Sequence, residues 1–84
     1  MTVCPELRIR RLKVDEALPM IDPYLNAAFM SEMETVRIVH GKGTGTLRKV
    51  LHEVLAKHPL VKSFRLGDYN EGSYGVTIIE LSNH

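Results

Sequence analysis

Apolar and polar positions along this chain change rhythm from one segment to the next. Leu7 and Ile9, with Arg11 in phase, face one way while Arg8 and Arg10 face the other, the period of two expected of a strand with one polar side. Ala17, Met20, Ile21, Tyr24, Leu25, Ala28 and Phe29 follow at intervals of three and one, the stripe of an amphipathic helix. Pro19 and Pro23 interrupt that stripe; each removes a backbone donor and crowds the preceding turn, at a cost of about 3 kcal/mol in a helix interior. Either the regular helix begins near Pro19, after a looser turn opened by Asp15 and Glu16, or it is kinked. Thr35 to His40 is rich in β-branched residues and reads as a second strand. Leu47, Val50, Leu51, Val54 and Leu55 repeat the helical stripe, with Thr44 or Thr46 as N-cap, until Pro59 stops it. Val61 to Leu66 and Val76 to Leu81 read as third and fourth strands, separated by a polar stretch containing Gly67, Gly72 and Gly75.

The order is β-α-β-α-β-β. Two right-handed crossovers make the first three strands parallel, and a directly connected fourth returns antiparallel. The expected fold is an α/β two-layer sandwich, with a mixed four-stranded sheet and two helices packed on one face. The open sheet face would carry Arg8, Arg10 and Arg37. Eighty-four residues suffice for one core, here residues 6–82 after a tail at 1–5. Cys4 alone allows no internal disulfide, which points to a reducing compartment. No apolar run reaches the roughly 18 residues of a membrane span and no signal peptide is visible, so a cytoplasmic protein without a membrane partner is expected.

Charge adds a second pattern. Eleven basic and ten acidic residues sum to +1, but they are segregated. Arg8, Arg10, Arg11 and Lys13 precede an acidic run holding Asp15, Glu16, Asp22, Glu32 and Glu34. The stretch from Arg37 to Arg65 is again basic, with Lys42, Arg48, Lys49, Lys57 and Lys62 against Glu53. Such segregation polarises the surface and suits a polyanion, although it also serves solubility.

The candidate chemistry centres on His40-Gly41-Lys42-Gly43-Thr44-Gly45, between the second strand and the second helix. Alternate glycines allow positive φ and close ligand approach, and the helix start offers unpaired N–H groups with partial positive charge. Lys42, Arg48 and Lys49 put cations where a helix dipole disfavours them, which a bound phosphate would explain. A plain tight turn with solvated lysines is the competing reading. The loop fits neither the P-loop nor the dinucleotide fingerprint, so ATP and NAD are not expected ligands. His40, at the rim, could move a proton beside a phosphodiester. His52, His58, His84 and Cys4 have no metal-ligand spacing, and Asp68 and Glu71 are the acids expected nearest the loop.

Three stretches resemble the Smr (small MutS-related) domain, as found at the C-terminus of the second bacterial MutS family. They are His40-Gly41-Lys42-Gly43-Thr44-Gly45 with Leu47-Arg48; His58-Pro59-Leu60-Val61; and Gly67, Glu71-Gly72, Gly75-Val76-Thr77 and Leu81. The resemblance implies structure-directed nucleic-acid binding, with nicking endonuclease activity in many members, in a module at the end of a MutS-type ATPase chain. The implied target is DNA, branched or duplex, with RNA or the ribosome as the alternative. It further implies that His40, Gly41, Lys42 and Gly43 meet phosphate, and Arg8, Arg10, Arg11, Thr44, Gly45, Arg48, Glu71 and Gly72 are expected to contact nucleic acid beside them. His40, Lys42 and Arg10 would carry any cleavage. The domain itself needs no cofactor, with a divalent ion, Mg²⁺ or Mn²⁺, as an optional addition for cleavage. Members usually begin Leu-Asp-Leu-His/Arg-Gly, where this chain reads Leu7-Arg8-Ile9-Arg10-Arg11 and has Ser73 at a common later glycine. Loss of the first-strand acid leaves a catalytically inactive binding module as the alternative function.

Overall fold

The computed structural model describes residues 5–41, 45–67 and 75–82. The elements follow the expected order: β1 (Glu6–Arg8), α1 (Val14–Met30), β2 (Thr35–Val39), α2 (Thr46–Lys57), β3 (Val61–Leu66) and β4 (Val76–Leu81). The spatial order is β1-β2-β4-β3. β1 runs parallel to β2, and β4 is antiparallel to both β2 and β3, so the first three strands share one direction as expected. The last strand fills the centre of the sheet. That position explains the apolar run of β4, of which only Glu80 is exposed.

The core forms between the inward face of the sheet and the helical stripes. Ile9, Val36, Ile38, Ile79 and Leu81 meet Ala17, Ile21, Leu25 and Ala28 of α1 and Leu51 and Leu55 of α2. Ile9 lies past the end of β1 but still donates its N–H to Val39 O at 2.8 Å. Met20, in phase with the α1 stripe, lies at its edge and is exposed.

α1 is one assigned helix from Val14, so the regular helix does not wait for Pro19. Its first turn is closed by Glu16, whose Oε1 accepts the Lys13 N–H at 3.0 Å. Pro19 and Pro23 both lie on the exposed face, where the carbonyls they leave without an amide partner can be solvated. The helix ends in a Schellman turn: Met33 N–H donates to Ala28 O and Glu32 N–H to Phe29 O, with Glu32 at φ +61°. At the far end of α2, His58 accepts the Leu60 N–H at Nδ1 and donates from Nε2 to Asp22 Oδ1 at 2.7 Å, fastening α2 to α1.

On the open face, the Glu6 carboxylate bridges Arg8 at 2.7 Å and Arg37 at 3.1 Å. The Arg8 hydrogen bond, reinforced by the charges of Arg8 and Arg37, outweighs desolvation and holds the Glu6 carboxyl below its usual range. This face is therefore less basic than its arginines suggest. Arg10 has left it altogether, because the chain turns at Arg10 and Arg11, where Arg11 takes φ +70°.

Candidate nucleic-acid cleft

Turning off the sheet carries Arg10 to the carboxyl ends of β1 and β2, where both helices begin. A cleft of about 580 Å³ opens there. Its walls include Arg10, Arg11 and Lys13 from the β1–α1 turn, Gly41 at the end of β2, and Gly45 and Arg48 at the start of α2. Among the described residues those cations have no carboxylate partner, and no carboxylate lines the cleft. The first amides of α1 and α2 have no helical carbonyl four residues before them to accept, so two positive helix ends meet at one site.

Local geometry explains the glycines. Gly41 has φ +81°, and a Cβ there would stand 3.4 Å from Arg10 Cβ. The β1–α1 turn packs directly on this residue. Gly45, rather than either threonine, is the N-cap of α2, with φ +84°; a Cβ there would lie 3.0 Å from an Arg48 guanidinium nitrogen. Arg48 thus folds back over the helix start, into the cleft.

His40 continues the inward phase of Val36 and Ile38 and is only 4% exposed. Its Nδ1 lies 2.9 Å from Gly41 O, and its Nε2 lies 2.8 Å from Thr77 Oγ1. His52 Nε2 approaches the same hydroxyl at 2.8 Å. Because the Gly41 carbonyl can only accept, Nδ1 carries the His40 proton and Nε2 accepts the Thr77 O–H. The Thr77 oxygen then accepts the His52 N–H. Burial pushes His40 down from its ordinary value and the Arg48 charge pushes it further, against the opposing Gly41 hydrogen bond. For His52 burial again leads, followed by His40 and Arg48. Both shifts favour the neutral rings.

The site expected from sequence is therefore partly assembled. Arg10, Arg11, His40, Gly41, Gly45 and Arg48 come together around the cleft. Arg8 does not; it lies on the open sheet face with Glu6. The Gly41 amide, expected to meet phosphate, instead shares Gly75 O with the His40 amide, both at 3.0 Å. His40 presents no free ring nitrogen in this arrangement. Lys42, Gly43, Thr44, Asp68, Glu71, Gly72 and Cys4 lie outside the described residues. Sequence reasoning missed Lys13, His52 and Thr77. His52 was legible in principle, being one turn after Arg48 on the same helix face, and Thr77 as a hydroxyl in phase with Ile79.

Among the described residues no three His, Cys, Asp or Glu side chains converge. Mg²⁺ and Mn²⁺ take hard oxygen ligands, chiefly carboxylates, and none of the described residues that line the cleft supplies a carboxylate.

Comparison with known proteins agrees with this architecture. The chain is 48% identical over 80 residues to the Endonuclease MutS2 of Pelotomaculum thermopropionicum, covering 95% of this chain and 10% of that protein. It is 51% identical over 77 residues to the Endonuclease MutS2 of Thermomicrobium roseum, covering 92% and 10%. It thus spans about a tenth of the length of these relatives. The crystal structure of the Smr domain of Thermus thermophilus MutS2 superposes with a TM-score of 0.89 at 40% identity, covering 92% of this chain and 96% of that one. YdaL, a stand-alone small MutS-related protein from Escherichia coli, shares the fold at TM-score 0.89 and 21% identity, covering 94% and 65%. The Smr domain family profile matches residues 7–82. Positive-φ glycines at the end of β2 and the start of α2, a cationic cleft at the strand ends and a match across nearly the whole sequence lead to one conclusion: the chain belongs to the Smr domain family.

Proposed function

We propose that this domain binds the sugar-phosphate backbone of nucleic acid, with DNA as its target, in the cleft between the β1–α1 turn and the start of α2. One observation carries the reading: Arg10, Arg11, Lys13 and Arg48 converge on two helix N-termini, and no carboxylate among the described residues lines the cleft. Contacts of this kind give affinity without reading sequence, so binding follows backbone shape and falls steeply with salt. Similarity to proteins named Endonuclease MutS2 supports the target class and a role as a module of a MutS-type chain.

Nicking is the further step of the same reading. Arg10 and Lys42 would stabilise charge on the phosphodiester, and His40 would transfer a proton. For His40 to do so, its ring must first leave Gly41 O or Thr77. That requirement, with Arg8 at the position of the family's first-strand acid, favours a binding module without cleavage as the second reading.

Two assays separate them. Fluorescence anisotropy with branched and linear duplexes at two salt concentrations should show binding that weakens in Arg10→Ala and Arg48→Ala; salt-insensitive or absent binding sinks the proposal. Supercoiled plasmid, incubated with and without EDTA, should be nicked by the wild type and spared by Lys42→Ala and His40→Ala if the domain cleaves. A plasmid bound but left intact establishes the second reading.

A further inference from the structure

We propose that Thr77 and His52 are positioning residues of the cleft: a directed chain of hydrogen bonds, His52 to Thr77 to His40, locks the His40 ring in the Nδ1–H tautomer that the Gly41 carbonyl accepts from and thereby fixes the turn at Gly41. The inference rests on the binding reading for its ligand, while the state of the rings can be read without one.

The direction of the chain is forced from one end. Gly41 O accepts from His40 Nδ1–H at 2.9 Å, which leaves Nε2 as an acceptor facing Thr77 Oγ1 at 2.8 Å. Thr77 must donate there, and its oxygen is then free to accept from His52 Nε2–H, also at 2.8 Å. Thr77 is fully buried on the central strand. A hydroxyl in such a place is costly unless bonded, and valine would fill the same shape without that demand. The hydroxyl here is used in both senses. His52 is in turn seated by Phe64 of β3, with ring centroids 4.9 Å apart, and stands edge-on to His40 at 6.3 Å.

The consequence falls on Gly41. Its N–H is taken by Gly75 O at 3.0 Å and its carbonyl by the His40 ring, so the peptide units on both sides of this residue are held and its φ of +81° is pinned. The pinned residue packs against Arg10 on one side of the cleft. Arg48, one turn before His52 on α2, keeps positive charge near both rings and opposes their protonation. Rings, hydroxyl and turn form one support behind the cationic wall.

The test uses the ¹⁵N-labelled domain in two measurements: long-range ¹H–¹⁵N correlations of the imidazole rings without ligand, and anisotropy with a labelled duplex at fixed salt. Wild type should show His40 as one Nδ1–H tautomer. Thr77→Val should give mixed tautomers and an affinity about fivefold weaker, the scale of one lost hydrogen bond. Thr77→Ser should restore both. A folded Thr77→Val with His40 still in one tautomer and wild-type affinity overturns the proposal. Should that variant not fold, His52→Leu removes the far anchor and carries the same readouts, and an unchanged His40 ring there is equally fatal. If Thr77→Val scrambles the tautomer and the wild type binds no duplex, the binding reading has failed and the positioning role stands.

Discussion

Arg11 occupies the left-handed region at φ +70°, where a side chain costs about 1–2 kcal/mol and where Smr domains usually carry glycine. It also lines the cleft. Arg11→Gly should therefore stabilise the fold by roughly 0.5–1 kcal/mol, after allowing for the greater unfolded freedom of glycine, while weakening duplex binding. Urea unfolding and anisotropy on one preparation will show whether the two effects move in opposite directions. The buried histidines give a prediction in pH. His40 and His52 lie below their ordinary 6.5 in the folded state, so the folded chain binds fewer protons than the unfolded one. Their contribution is complete above about pH 6.5 and shrinks as pH falls below it, until the folded rings also protonate. Urea midpoints should drop between pH 7.5 and 5.5, and drop less in His52→Gln. The sequence exposed the glycines, Arg10, Arg48 and His40 as a group, because their spacing sets them around one turn. It did not expose the partners of His40, since Thr77 and His52 lie 37 and 12 positions away and only the pairing of β4 with β2 brings the hydroxyl to the ring.

Among the elements, α1 defies its own propensities. Two prolines sit inside a 17-residue helix and face outward, four positions apart. Replacing either by alanine restores an i to i−4 hydrogen bond at no loss of core packing, so Pro19→Ala or Pro23→Ala should raise stability by up to about 3 kcal/mol, measurable as a higher thermal midpoint. At the opposite extreme, Ile79 is fully buried at the middle of β4. Ile79→Ala should cost about 2–5 kcal/mol in urea unfolding, through lost burial and the cavity left behind. Every element was legible in the sequence, β1 and the helices from periodicity and β2 from its β-branched residues, and the bounds of β3 and β4 agree with the sequence reading to the residue. What periodicity could not supply was the insertion of β4 between β2 and β3, because a row of apolar residues marks a central strand without naming its neighbours. The open face was misjudged for a similar reason: Arg8 and Arg37 were visible, but their shared bond to Glu6 depends on the register that sets Glu6 opposite Arg37.

For the molecule as a whole, cationic side chains collect at the strand ends while Glu6 mutes the open face, so the near-neutral total of +1 conceals a directed field. If Arg10, Arg11, Lys13 and Arg48 each meet a phosphate, the logarithm of affinity should fall against the logarithm of salt with a slope of roughly −3 to −4. Each alanine substitution among them should flatten it by about 1, which a salt titration of anisotropy can resolve. The middle place of β4 also sets a timetable. Of the four strands it is the last to emerge during synthesis, yet it is the seam joining β2 to β3. Until it arrives, the edges of β2 and β3 that face it are both bare, so assembly of the sheet waits for β4 and any message cut short before it yields a sticky fragment rather than a smaller domain.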